Sequence, residues 1–76
     1  PMTVAEMGVV LFAANEGFLA DVPVNKVLDF ESALLIYMKT SHEDFMDQIN
    51  REGKYTDEVI DTMRSALESF VATETF

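Results

Sequence analysis

Apolar residues recur every three or four positions in four separate stretches of this 76-residue chain, and caps and glycines break the pattern between them. That spacing belongs to helices that bury one face, and no stretch keeps the two-residue alternation of a half-buried strand. The first stretch opens at Thr3, whose side chain can accept from a free amide, with Glu6 three residues on to complete a capping box. Val4, Met7, Leu11 and Ala14 share one face, while Val9, Val10, Phe12 and Ala13 fill much of the rest. A helix apolar nearly all round is buried on most sides. Asn15 and Glu16 end it, and Gly17 suits the left-handed residue beyond the last turn.

Residues 17–23 (Gly17, Phe18, Leu19, Ala20, Asp21, Val22 and Pro23) read as a connection, unusually apolar for a loop. Pro23 fits a first-turn position because its missing amide would be unpaired there. The spacing predicts a second helix from about Pro23 to Thr40, with Val27, Phe30, Leu34 and Tyr37 or Met38 as its stripe, widened by Leu28 and Leu35. Ser41 is expected to stop it and to cap a short third helix, about Glu43 to Arg51, with Glu43 and Asp44 against the positive end of the dipole. Phe45, Met46 and Ile49 point inward, and Gly53 closes that helix. Thr56 caps the fourth, where Val59 or Ile60, Met63, Leu67, Phe70 and Val71 repeat at helical spacing. The expectation is one all-α domain over residues 1–76, a bundle of about four helices with no sheet. Its core is expected to hold Val10, Leu11, Ala14, Val27, Phe30, Leu34, Phe45, Ile49, Ile60, Met63, Leu67 and Phe70.

A hydrophobic content of 49% argues against disorder, and it must be buried somewhere. In so short a chain, part of it is expected to belong against a neighbour. With no cysteine, disulfides and thiolate metal sites are excluded. No apolar run approaches the roughly 18 residues of a membrane span, so direct membrane insertion is not expected. The start lacks the pattern of a secretory signal, which says nothing about the parent protein if the chain is an excised piece. Fourteen acids against five bases give a net charge of −9, spread evenly along the chain. Such a field disfavours nucleic acid and anionic membranes and suits a basic protein partner.

The chemistry-bearing residues form no familiar set. Ser41, His42 and Asp44 are neighbours along a helix start, which do not face one another as a nucleophilic triad must. A calcium loop begun at Asn50 would put Glu52 and Lys54 at ligand positions and bulky Tyr55 where glycine is needed. Ser32 lies mid-helix, unlike the serine at a helix start that carries an acyl carrier's prosthetic arm. Phosphate-binding loops, dinucleotide fingerprints and HExxH are absent from the sequence. No catalytic, cofactor-binding or metal-ligating residue is expected, and the chain is read as working through packing and surface.

Several short stretches, weak one by one, resemble a single family in the same order and without gaps. They are Gly17–Phe18–Leu19, Asp21 and Pro23, Phe30–Glu31 with Leu34, His42, the run from Ile49 to Gly53, Asp57–Glu58, and the tail Phe70, Val71, Ala72 and Thr73. Together they are similar to the helical C-terminal domain of the α subunit of F-type ATP synthases, most like bacterial versions. The resemblance implies a structural and interaction domain in an α3β3 ring around the γ rotor stalk, in a complex that couples proton movement to ATP synthesis or hydrolysis. It implies β subunits, γ and the subunit's own nucleotide-binding domain as partners, with the regulatory ε subunit as a further candidate. The β-barrel and nucleotide-binding domains would precede Pro1, so ATP or ADP and Mg2+ would belong to the intact subunit and to no residue here. The complex would sit as a peripheral assembly on the cytoplasmic face of the bacterial inner membrane. By analogy with the β subunit, the turn from Gly17 through Phe18, Leu19, Ala20, Asp21 and Val22 to Pro23 would face the stalk, with Phe18, Leu19 and Val22 either at that contact or folded back onto the bundle's own core. The alternative is an autonomous acidic helical module that binds another protein.

Overall fold

The computed structural model describes residues 2–74; Pro1, with which the family resemblance begins, and the final Thr75 and Phe76 lie outside them. Four α-helices follow one another: α1 Val4–Asn15, α2 Val27–Ser41, α3 Glu43–Glu52 and α4 Asp57–Thr73, with a 3₁₀ turn Val24–Lys26 ahead of α2. No strand occurs among the described residues. The all-α class and the four-helix count therefore hold.

Local chemistry sets the helix ends. Thr3 caps α1 through a full capping box: its hydroxyl accepts from the Glu6 amide at 3.2 Å, and the Glu6 carboxylate accepts from the Thr3 amide at 2.8 Å. At the other end Gly17 takes φ +83°, and the Phe18 and Gly17 amides turn back onto the carbonyls of Ala13 and Ala14. That is the Schellman closure, which a residue with a Cβ would strain. Gly53 (φ +64°) ends α3 in the same left-handed region, and the Thr56 hydroxyl caps α4 by accepting from Val59.

Two boundaries differ from expectation. Pro23 does not open α2; it leads the 3₁₀ turn, and the α-helix begins four residues later at Val27. Lys26, at φ −113° and ψ 0°, separates the two pieces. Ser41 is the last residue of α2 rather than a cap, and the cap position of α3 falls to His42, which makes no side-chain capping bond. With one residue between the helices, His42 ends one and begins the next.

α2 touches all three other helices, and α1 also packs on α3. Phe30, Leu34 and Met38 of α2 meet Met46 and Ile49 of α3 and Val59, Met63, Ala66, Leu67 and Phe70 of α4 in one buried cluster. Phe30 and Phe70 stand edge to face at 5.4 Å, a favoured aromatic arrangement. α1 contributes Ala5, Val9 and Ala13. Of the expected core, Phe30, Leu34, Ile49, Met63, Leu67 and Phe70 are buried, Phe45 is half-buried against the cluster, and Val10, Val27 and Ile60 are half-buried.

The main correction concerns the rotation of α1. Leu11 is 62% exposed and Ala14 is also exposed, while the face that packs is Ala5–Val9–Ala13. Because α1 is apolar on nearly every side, its periodicity could not select a face. Small side chains at four-residue spacing let its backbone come close to its neighbours. Polar ties set the angle: the Asn50 side-chain oxygen of α3 accepts from the Ala5 amide at 2.9 Å, and Lys39 of α2 lies 3.6 Å from the Glu6 carboxylate. Leu28 is likewise exposed and does not widen the α2 stripe.

Candidate interaction surfaces

The turn after α1 is shaped by its own packing. The Ala20 amide donates to the Gly17 carbonyl at 3.2 Å, and Val22 to Leu19 at 3.1 Å, folding residues 17–22 into consecutive tight turns. Phe18, Leu19 and Val22 are half-buried and lie against the core, with the Phe18 ring 6.4 Å from that of Phe12. Burying these three apolar side chains on the bundle explains why so greasy a connection is tolerated. What the turn offers outward is Gly17, Ala20, Asp21 and Pro23, followed by Val24, which is 93% exposed. Beside it a shallow hollow is lined by Phe18, Asp21, Val22, Phe30 and Val71.

Arg64 locks the base of that turn to α4. Its guanidinium contacts Glu16 at 2.9 Å and Asp61 at 3.5 Å and lies 5.6 Å from the centre of the Phe12 ring. The hydrogen bond to Glu16 raises the arginine's pKa further, so its charge is constant across any working pH. The 17–23 turn is thus placed by the packing of Phe18, Leu19 and Val22 on the core, with one exposed charge-assisted contact and one ring face at its base.

At the opposite end of α1, Glu6 is buried among polar partners. The Thr3 amide, opposed by burial and helped by the Thr3 hydroxyl and the Lys39 ammonium, holds its carboxyl below the ordinary glutamate range. This carboxylate serves the fold: it caps its own helix and joins α1 to α2. Sequence reasoning found the cap but not the tie to Lys39, because residues 33 apart in sequence carry no periodic signal.

His42 sets its ring at 5.4 Å from Tyr37, and no hydrogen bond joins its side chain to Ser41 or Asp44. A groove beside it is lined by Tyr37, Asp61, Thr62, Ser65 and Ser69. Glu43, Asp44 and Asp47 gather their carboxylates within 4.8 Å of one another on the exposed side of α3. Those acids need no ion to be explained: two lie in the first turn of a helix, where the dipole favours them. A third surface was not foreseen. Val4, Met7 and Leu11 of α1, left exposed by its rotation, border an apolar groove with Tyr55 and Ile60 on the far side. The Tyr55 hydroxyl donates to the Val4 carbonyl at 3.1 Å, and its ring lies over Gly8.

The family profile for the ATP synthase alpha/beta chain, C terminal domain, matches residues 1–70. The chain belongs to this family. It is 55% identical over all 76 residues to the ATP synthase subunit alpha of Chromohalobacter salexigens. It is 54% identical to the ATP synthase subunit alpha 2 of Hahella chejuensis and 51% identical to the ATP synthase subunit alpha of Marinobacter nauticus, again over all 76 residues. In each case the chain spans 15% of the relative's length. The all-α bundle and the expected family agree, and membership displaces the reading as an unrelated acidic module. No helix among the described residues is long and apolar enough to cross a membrane.

Proposed function

We propose that this chain is the structural and interaction domain at the C-terminal end of an ATP synthase α subunit. In that role it helps build an α3β3 ring around the γ rotor stalk, and it contributes packing and surface rather than catalytic groups. ATP or ADP and Mg2+ are held elsewhere in the subunit, and the complex couples ATP synthesis or hydrolysis to proton movement. Its place is peripheral, on the cytoplasmic face of the bacterial inner membrane, beside β subunits and the subunit's own nucleotide-binding domain, with ε as a further contact. The observation that carries this reading is the similarity to bacterial α subunits over all 76 residues, at 55% identity to that of Chromohalobacter salexigens.

Within that role, the turn at residues 17–23 is the stalk-facing element. With Phe18, Leu19 and Val22 engaged on the bundle, the contact falls to the exposed Ala20, Asp21 and Pro23. The Arg64–Glu16 contact braces the turn from behind. A cysteine at Asp21, in the α subunit of the assembled complex, is expected to form a disulfide with single cysteines scanned along γ. The link should block ATP hydrolysis until a reductant is added. An Asp21→Cys thiol that labels freely in the assembly and links to neither γ nor ε would refute the stalk-facing assignment.

A further inference from the structure

Glu74 stands where the fold gives it nothing to do. It is the C-cap of α4, at the carbonyl end of a helix that has no basic residue in its last turn. A carboxylate at that end is disfavoured by the helix dipole. Glu16 holds the same position at the end of α1, and there Arg64 offsets it at 2.9 Å. Among the described residues no ion pair reaches Glu74, and none reaches Asp21. The two acids border one hollow, Asp21 from the 17–23 turn and Glu74 from the end of α4, whose apolar walls are Phe18, Val22, Phe30 and Val71. We propose that this hollow is a socket for a lysine side chain of the subunit that meets the turn. The lysine's methylene stem lies on the apolar walls, and its ammonium sits between the two carboxylates. This rests on the stalk-facing reading above, under which that subunit is γ, and deepens it by naming the chemistry of the contact.

Charge complementarity selects a cation. Asp21, Glu74 and the carbonyl end of α4 all present negative charge to the hollow, and no described lining residue is basic. The apolar walls select a cation on a long stem, because such a side chain covers apolar surface while its charged head stays at the rim. Two carboxylates on separate elements favour lysine over arginine: an ammonium turns its donors toward both, whereas a planar guanidinium matches one carboxylate edge on. A second copy of this chain is a poor source of the guest, since it would bring another −9 of charge to the contact. Glu43, Asp44 and Asp47 make a useful contrast. Two of them lie in the first turn of α3, where the dipole favours acids, and they need no partner to be explained.

The test uses the assembled complex and two readouts. A water-soluble carbodiimide joins a carboxylate to a lysine amine where the two touch, and mass spectrometry of the digest should find Asp21 or Glu74 linked to a lysine of another subunit. Val71, 37% exposed at the wall of the hollow, carries the second readout as Val71→Cys. Its maleimide labelling should be at least tenfold slower in the complex than in the isolated full-length α subunit. Adding Asp21→Asn and Glu74→Gln should restore the faster rate in the complex. Equal rates in the two forms would overturn the proposal, because the hollow would be empty. Slow labelling that the paired substitutions leave unchanged would also overturn it, since the cover would not be held by these carboxylates. Charge-dependent protection with no lysine link would overturn it too, the guest then not being an amine. A link to β or ε instead of γ would uphold the socket and sink the stalk-facing reading. A disulfide from Asp21→Cys to γ, with Val71→Cys labelling freely in the complex, would do the reverse.

Discussion

The rotation of α1 can be tested with three truncations on the 76-residue chain. Leu34 is wholly buried at the centre of the cluster, so Leu34→Ala should cost about 2–5 kcal/mol in lost transfer energy and cavity. Val9 is also wholly buried. Val9→Ala removes two methyl equivalents at ~0.8 kcal/mol each, and alanine's better helix propensity returns part of that, so the net cost is about 1 kcal/mol. Leu11 keeps only about a third of its surface from water. Full burial of a leucine is worth ~1.5–3 kcal/mol, so Leu11→Ala should cost under about 1 kcal/mol, and less once the propensity of alanine is counted. Urea unfolding followed by circular dichroism reads the differences as midpoint shifts. A chain of this size holds roughly 3–5 kcal/mol in all, so Leu34→Ala should leave little or no cooperative transition. Leu11→Ala destabilising more than Val9→Ala would refute the packing of the Ala5–Val9–Ala13 face.

Other perturbations test the polar ties. Because the folded state holds the Glu6 carboxyl below its ordinary range, its contribution is fully present above the unfolded value near pH 4. That contribution is lost as acid carries the pH down through the lower folded value. Glu6→Gln should therefore lower stability at pH 7 and flatten the fall between about pH 5 and 3; an unchanged acid limb would contradict the cap. An added Cβ on Gly8 would meet the Tyr55 ring at 2.8 Å. Gly8→Ala should gain up to about 1 kcal/mol of helix propensity while displacing a hydrogen bond worth ~0.5–1.5 kcal/mol, for little net change. In a Tyr55→Ala background the same substitution should be clearly stabilising, and urea midpoints of the four variants decide it. Removing the Arg64 guanidinium should loosen the 17–23 turn, seen as faster amide exchange at Ala20 and Val22 at low salt, with the difference shrinking as salt is raised. Unaltered exchange there would show that the Phe18 packing holds the turn alone.

Much of the fold was legible because its signals are local. The Thr3–Glu6 box, the glycines at 17 and 53 and the Thr56 cap act within a turn of chain, so each can be read from a few adjacent residues. The stripes of α2 and α4 were legible because Phe30, Leu34 and Met38 and then Met63, Leu67 and Phe70 recur at helical spacing, although Leu28 and Ile36 leave the outer side of α2 partly apolar. α1 was not, since with apolar residues all round its two candidate faces are equivalent until neighbours arrive. The same ambiguity hid the groove of Val4, Met7 and Leu11, which is the face the bundle did not choose.

The order of four helices, the Thr3 and Thr56 caps and the family to which they belong follow from the chain alone, because helix propensity, capping and recurring motifs are properties of short stretches. Tertiary structure decided which side of α1 packs, that Phe18, Leu19 and Val22 turn inward, and that Glu6 pairs with Lys39. Those outcomes depend on contacts between residues far apart in sequence, where the size of a side chain and the hydrogen bond from the Ala5 amide to Asn50 outweigh periodicity.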